Sequence, residues 1–135
     1  MAYVDIVTAL AVLQFLMFGF KVGAARGRYG VKAPSTTGHE VFERHFRVHM
    51  NTLEQLVCLL PGLYLFSRYI NPLWAAGIGV IYLVGRELYA FGYVKNPKQR
   101  ELGYGLTLLP VVVLVFGGLG GAIWRVFHSG SFGGL

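Results

Sequence analysis

The chain has few charged residues and a single cysteine, and both shortages restrict what it can be. Aspartate, glutamate, lysine and arginine make up 13% of its 135 residues, whereas soluble domains contain about 25%. Hydrophobic residues make up 55% of the chain, so the composition predicts a polytopic membrane protein. The lone cysteine, Cys58, excludes a disulfide framework within the chain.

The formal net charge is +6, yet the basic residues do not form a nucleic-acid patch. Lysines and arginines cluster beside the apolar segments, where they are typical of topology signals and ligand contacts. We therefore expect no nucleic-acid partner. The first residues, Met1 to Asp5, lack the positive region of a cleaved signal peptide, which favours a first helix that stays in the membrane.

Four apolar segments approach the ~20 residues that a helix needs to cross a bilayer. They predict an all-α integral membrane protein, a four-transmembrane-helix bundle that forms a single transmembrane domain over residues 1–135. Pro72 suits the first turn of the third helix, and the glycine-rich stretch 117–121 suits close helix packing in lipid. The predicted helices cover residues 3–24, 40–69, 72–94 and 100–127.

The distribution of basic residues predicts the orientation of the bundle. Lysines and arginines flank the first and third connections between helices, while the opposite side has Arg68 and Arg125. By the positive-inside rule these two connections are cytoplasmic, and a site at the polar ends of helices two and three shares that side. The compact chain without an evident retention signal favours a bacterial inner membrane, or the endoplasmic reticulum if the protein is eukaryotic.

Two sets of polar residues interrupt the apolar segments at helical spacing. Ionisable groups inside a membrane are costly, so they pair with one another, line a cavity or hold a polar ligand. Guanidinium, carboxylate, amide and phenol groups together suit the tripeptide glutathione, and they suit other zwitterionic ligands as well. Alternatively, pairs such as Arg47 with Glu54 only hold the helices in register. The two sets are Arg44, Arg47, Asn51, Glu54 and Cys58 on the second helix, and Tyr82, Arg86, Tyr89 and Tyr93 on the third.

Two segments resemble signatures of a known family. Residues 42–54, which read FERHFRVHMNTLE, are similar to the second-helix signature of the MAPEG family, the membrane-associated proteins in eicosanoid and glutathione metabolism. Residues 85–93, which read GRELYAFGY, resemble its third-helix signature, and Arg100 stands where the family has its catalytic arginine. The resemblance extends from about Arg26 to Trp124 and is strongest to the third microsomal glutathione transferase subtype and its bacterial relatives.

This resemblance implies a homotrimer that binds glutathione, its co-substrate, between neighbouring subunits. It implies that Arg100 is catalytic and stabilises the glutathione thiolate, and that Arg26 and His49 reach the ligand from the next subunit. Gln55 stands where the leukotriene-forming branch has a tyrosine, so one glutathione contact of that branch is missing here. The glutathione-binding residues implied by position are Arg26, Arg47, His49, Asn51, Glu54, Arg86, Tyr89 and Tyr93.

The activity implied by the resemblance is that of a detoxifying glutathione transferase, with glutathione peroxidase activity as a further reaction. A free thiol has a pKa of about 8.5, and its thiolate is the nucleophile. Lowering that pKa by about two requires roughly 2.7 kcal/mol of preferential interaction with the anion, which a guanidinium at hydrogen-bond distance supplies. The second substrate would be a lipophilic electrophile or a lipid hydroperoxide that enters from the membrane lipid.

Two other functions and a metal site are alternatives to this activity. The family includes a non-catalytic lipid-binding scaffold, and a chain of this kind also has the size of a small multidrug transporter. Such a transporter needs an embedded carboxylate in the first helix, which offers only Asp5 at its edge. His45 and His49 have the i, i+4 spacing of metal ligands, but no third ligand accompanies them, so no metal is expected.

Overall fold

The computed structural model describes residues 1–99 and 101–129, and these residues form an all-helical chain with four long helices. The prediction of an all-α protein with four helices is confirmed. The helices are α1 (Ala2–Tyr29), α2 (Glu40–Tyr69), α3 (Pro72–Lys95) and α4 (Glu101–His128), and a short 3₁₀ turn at Pro97–Gln99 precedes α4. Because α1 and α3 finish where α2 and α4 begin, one end of the bundle, here called the polar end, gathers the charged segments.

The first helix is longer than the sequence predicted. We expected it to end at residue 24 and to be followed by a basic loop, but α1 continues through Arg26 to Tyr29. It stops at Gly30, which adopts a left-handed conformation with φ of 68° and donates its backbone N–H to the Arg26 carbonyl. A glycine accepts positive φ without the steric penalty of a Cβ atom, so the helix ends there and not at Gly27.

Side-chain caps define the starts of the two central helices. His39 precedes α2, and its Nδ1 accepts a hydrogen bond from the backbone N–H of Val41 at 3.1 Å. Asn71 precedes α3, and its Oδ1 accepts from Leu73 at 2.8 Å and from Trp74 at 3.1 Å. These bonds satisfy backbone donors that have no partner inside the helix.

The two central helices, α2 and α3, contact each other, and α1 and α4 each pack against both of them. Aliphatic side chains fill the half of the bundle away from the polar end, where Leu59, Leu63 and Leu114 are fully buried. Lipid tails are as apolar as leucine, so these side chains hold the helices together through van der Waals packing. This apolar half therefore supplies most of the packing that holds the four helices together.

The outer surface of the bundle is apolar. Phe20, Phe91 and Phe127 are each at least 70% exposed, which a water-soluble surface seldom tolerates over a large area. Two of the described helices, α1 and α4, are 28 residues long and apolar enough to cross a membrane. The expectation that all four helices span the membrane stays a prediction.

Candidate functional site

The site is built where α3 and α4 approach most closely. A Cβ atom added to Gly103 would lie 2.3 Å from the backbone nitrogen of Tyr89, and one added to Gly85 would lie 2.6 Å from Cβ of Leu106. Such distances are shorter than van der Waals contact, so the two helices can meet here only because both positions are glycine. The close approach brings Tyr104 on α4 beside Tyr89 on α3, with ring centroids 6.3 Å apart.

An arginine lies completely buried behind this contact. Arg86 has no exposed surface, and its Nη2 donates to Oδ1 of Asn51 on α2 at 2.9 Å. Its guanidinium lies 4.1 Å from the centre of the Tyr89 ring, a distance that suits a cation–π interaction. The Nε and Nη1 atoms of Arg86 have no hydrogen-bond partner among the described residues. The arginine thereby fixes the positions of Asn51 and Tyr89 while keeping unused donors.

A polar cavity of about 340 Å³ lies in front of these residues, lined by Arg47, Asn51, Tyr89 and Tyr104. Arg47 also borders a neighbouring hollow of about 400 Å³ at the polar end, which includes Tyr93. Tyr93 stacks on Tyr89 with ring centroids 5.6 Å apart. The structure thus brings together five of the residues singled out in the sequence. They are Arg47, Asn51, Tyr89 and Tyr93 around the two hollows, and Arg86 behind them.

Charge pairing does not account for this polar cluster. Among the described residues, the ion pair joins Arg44 to Glu40, one turn apart on α2. The alternative pair of Arg47 with Glu54 does not form, and Arg86 bonds to an amide and not to a carboxylate. Glu54 is exposed on α2 and does not line the cavity.

Two predicted residues lie elsewhere in the chain. His49 stacks on Phe15 of α1 with ring centroids 4.4 Å apart. Arg26 donates to the Ser35 carbonyl at 2.6 Å and lies 4.7 Å from the centre of the Phe42 ring. Both side chains therefore face the α1 side of α2, apart from the cavity within the same chain.

The structure adds one residue that the sequence reasoning missed, and it leaves one undescribed. Tyr104 lines the cavity, although it was not among the candidates. Its position four residues after Arg100, between two glycines, was the available signal. Arg100 itself, the predicted catalytic residue, lies outside the described residues.

Cys58 does not line the cavity. Its side chain is exposed on the surface of α2. No group of three or more histidine, cysteine, aspartate or glutamate side chains is placed to hold a metal ion within residues 1–99 and 101–129.

Comparison with known proteins defines the class to which this fold and site belong. A sequence model of the MAPEG family matches residues 4–120. The chain therefore belongs to the MAPEG family of membrane proteins. The resemblance identified in the two helical segments is confirmed.

Individual relatives extend this assignment. An uncharacterized protein of the cyanobacterium Synechocystis is 45% identical over 127 residues, which cover 94% of this chain and 93% of the relative. Human microsomal glutathione S-transferase 2 is 35% identical over 84% of this chain and 78% of its own length. Bovine leukotriene C4 synthase is 35% identical over 70% of this chain and 63% of its own length. The microsomal relatives named here are of the second subtype, so a special likeness to the third subtype stays a prediction.

Proposed function

We propose that this protein is a membrane-bound glutathione transferase that activates the glutathione thiolate with Arg100 for attack on lipophilic electrophiles. The observation that carries the proposal is the polar cavity of Arg47, Asn51, Tyr89 and Tyr104 in a chain whose exterior is apolar. The names of the human and bovine relatives support glutathione as the co-substrate.

The cavity offers groups that complement the two ends of glutathione. Arg47 borders both the cavity of about 340 Å³ and the hollow of about 400 Å³. A tripeptide that extends from one into the other would therefore lie against the Arg47 guanidinium. A carboxylate of glutathione would accept from Arg47, and Asn51 and the phenol groups would bond to its peptide groups. Glu54 would hold the ammonium group where the tripeptide extends beyond the cavity.

Arg86 was predicted to bind glutathione directly, but we propose that it acts on the site through its neighbours. Because its side chain has no exposed surface, it acts through Asn51, which it bonds at 2.9 Å, and through the ring of Tyr89. It is a positioning residue: it holds the amide and the phenol in the orientation that the ligand requires. Its positive charge also raises the local potential that attracts an anionic ligand.

The proposed assembly is a homotrimer in which all four helices span the membrane. Arg47, Glu54 and Cys58 form an exposed face of α2 in the isolated chain. Charged groups facing lipid are costly, so this face is expected to meet neighbouring subunits. In that arrangement Arg26 and His49 would complete the glutathione site of the next subunit, on the cytoplasmic side of the membrane.

The chemistry would begin with the thiol of glutathione. Arg100 stabilises the thiolate, which attacks an electrophilic carbon; a carbon–sulfur bond forms and the leaving group, such as a halide, departs with the bonding electrons. With a lipid hydroperoxide, two glutathione molecules would be oxidised to the disulfide while the hydroperoxide is reduced to an alcohol and water. The lipophilic substrate would enter from the bilayer.

The test measures three properties of detergent-purified protein: glutathione binding, thiolate absorbance after glutathione is added, and turnover of an aryl halide and a lipid hydroperoxide. Arg100→Ala is the test variant. Arg125→Ala is the matched control, because it removes an exposed arginine near the far end of α4. We expect the thiolate signal and both turnovers to collapse in Arg100→Ala and to persist in Arg125→Ala.

Two other outcomes would contradict the proposal in different ways. Tight glutathione binding without a thiolate signal or turnover would favour the non-catalytic scaffold. An unmodified protein that does not bind glutathione would overturn the transferase and the assignment of the cavity together.

A further inference from the structure

A groove separate from the cavity of Arg47 and Asn51 runs along the outside of α1, where it borders α2 at the polar end and α3 farther along. It consists of three hollows that share residues and so follow one another along the helices. The first, of about 280 Å³, and the second, of about 300 Å³, share Lys21 and His45. The second and the third, of about 480 Å³, share Glu87. We call these three adjoining hollows the outer groove.

The outer groove is basic where it reaches the polar end of the bundle. Lys21 and Arg28 line it from α1, and Lys95 lines it from the last turn of α3. These three side chains are exposed, and none of them forms an ion pair with another described residue. His45 of α2 adds a further nitrogen group to the same section. An anion is the ligand that this section complements.

Farther from the polar end the outer groove becomes apolar. Its third hollow is lined by Leu10, Leu13, Met17 and Leu83, among other residues. The distance along α1 from Leu10 to Lys21 is about 16 Å at the rise of an α-helix. Half of a bilayer's hydrocarbon core is ~15 Å thick, so the part of the groove between Leu10 and Lys21 matches the depth of one leaflet.

One carboxylate lies between the two sections. Glu87 accepts a hydrogen bond from Nε2 of Gln14 at 3.1 Å, and the same amide donates to the Leu83 carbonyl at 2.9 Å. Glu87 is separated from Lys95 by about 12 Å along the axis of α3. The amide of Gln14 therefore holds the carboxylate against α1, at the inner end of the hollow that Lys21 and Lys95 also line.

We propose that the outer groove binds an anionic phospholipid. Its phosphate lies between Lys21 and Lys95, and one acyl chain follows the apolar section past Leu13. Basic pockets between membrane helices bind anionic headgroups in this way. A phospholipid accounts for both sections of the groove, whereas a free phosphate accounts for the basic section alone. The inference rests on membership of a membrane-protein family and is independent of the proposed transferase activity.

The test equilibrates the full-length protein in detergent with equal amounts of phosphatidylglycerol and phosphatidylcholine, and it counts the retained lipids by native mass spectrometry. The test variant is Lys21→Ala/Lys95→Ala. The control is Lys32→Ala/Lys98→Ala, which removes the same charge from the same end but from residues that do not line the groove. Circular dichroism and size-exclusion chromatography establish that each variant is folded.

We expect the unmodified protein to retain phosphatidylglycerol in preference to phosphatidylcholine. Each basic residue near an anionic lipid contributes a factor of about five, so the preference should fall roughly 25-fold in Lys21→Ala/Lys95→Ala. The control should keep its preference. Glu87→Gln should increase the preference, because it removes a negative charge from the groove while keeping an amide that can bond to Gln14.

Three results would overturn the proposal. An equal loss in both double variants would mean that diffuse surface charge attracts the lipid. Displacement of phosphatidylglycerol by added inorganic phosphate would mean that the apolar section contributes nothing. Absence of any preference in the unmodified protein would remove the site altogether.

If Lys21→Ala/Lys95→Ala does not fold, the single variants Lys21→Gln and Lys95→Gln are each expected to show about a fivefold loss of the preference for phosphatidylglycerol. Glutathione binding in the same preparations tests the transferase separately.

Discussion

Each half of the bundle contains fully buried side chains, but those side chains are held by different chemistry. In the apolar half, leucines such as Leu59, Leu63 and Leu114 are fully buried among other aliphatic groups. In the half toward the polar end, Arg86 is just as deeply buried and bonds to Asn51 without a carboxylate partner among the described residues. Apolar burial stabilises a fold without directing it toward a ligand. A buried cation with unused donors costs stability, so its presence indicates a site.

The apolar half is expected to dominate stability. Leu63→Ala should lower the free energy of unfolding by about 3 kcal/mol, because the lost side chain leaves a cavity in a packed region. Glutathione turnover per folded molecule should not change. Leu109→Ala, at a position that is 64% exposed, is the control and should change stability by less than about 0.5 kcal/mol. Denaturation monitored by circular dichroism measures the free energy of unfolding of both variants. A Leu63→Ala protein as stable as Leu109→Ala would contradict the view that the apolar half dominates stability.

The buried arginine is expected to show the opposite pattern. Arg86→Met should reduce kcat/KM for glutathione conjugation about 100-fold, because Asn51 and Tyr89 lose their orientation. An apolar replacement of a buried charge is often neutral or stabilising, whereas an unsatisfied Asn51 costs about 1–3 kcal/mol. These terms nearly cancel, so the free energy of unfolding should change little.

Steady-state kinetics and denaturation of Arg86→Met, with Arg125→Met as the control, separate the two effects. A rise in KM with only a small change in kcat is expected from misplaced binding groups. Parallel loss of stability and activity would mean instead that Arg86 serves the fold alone.

The helix contact at Gly103 lies in the half toward the polar end, but it depends on close packing, as the apolar half does. This contact also shapes the site. Gly103→Ala should lower the free energy of unfolding by about 2 kcal/mol, since its Cβ would overlap the Tyr89 backbone. Glutathione affinity should fall with it as α3 and α4 separate. Gly105→Ala is a matched control two residues away, because nothing lies within 4 Å of an added Cβ there. Similar behaviour of the two variants would show that the contact does not determine the site.

A hydroxyl at the cavity wall is expected to have a smaller effect. Tyr104→Phe should weaken glutathione binding about fivefold, the equivalent of one lost hydrogen bond of about 1 kcal/mol. Isothermal titration calorimetry measures the affinity, with Tyr3→Phe as the control because Tyr3 is 66% exposed at the other end of the bundle. Unchanged binding in Tyr104→Phe would mean that this residue only shapes the wall.

The sequence predicted the helices better than the cavity. Long apolar segments and turn residues such as Pro72 have local causes, so the four helices could be read directly. The end of α1 was predicted at residue 24, near the end of the apolar run, but the helix continues through Arg26 and Arg28 to Tyr29. Apolar periodicity marks the part of a helix that lies in lipid or in a core, so it does not show how far the helix extends beyond that part.

The sequence predicted only some of the residues that line the cavity, because spacing along one helix does not show how two helices cross. Helical spacing placed Arg47 and Asn51 on one face of α2, and the cavity contains both. Spacing could not indicate that Arg86 would be fully buried, nor that Gly103 would draw Tyr104 toward Tyr89, because both depend on how two helices cross. The roles of Arg100, Glu54 and the neighbouring subunits stay predictions.

The cavity also has a consequence for biogenesis. Its walls come from α2, α3 and α4, and the wall residue Tyr104 belongs to α4, the last of the four described helices along the chain. A nascent chain that has not yet reached α4 already contains Arg86 and Asn51 but not the closed cavity. A ligand that binds only the closed cavity can stabilise only a chain that contains α4. The association of α1, α2 and α3 must therefore begin without help from that ligand.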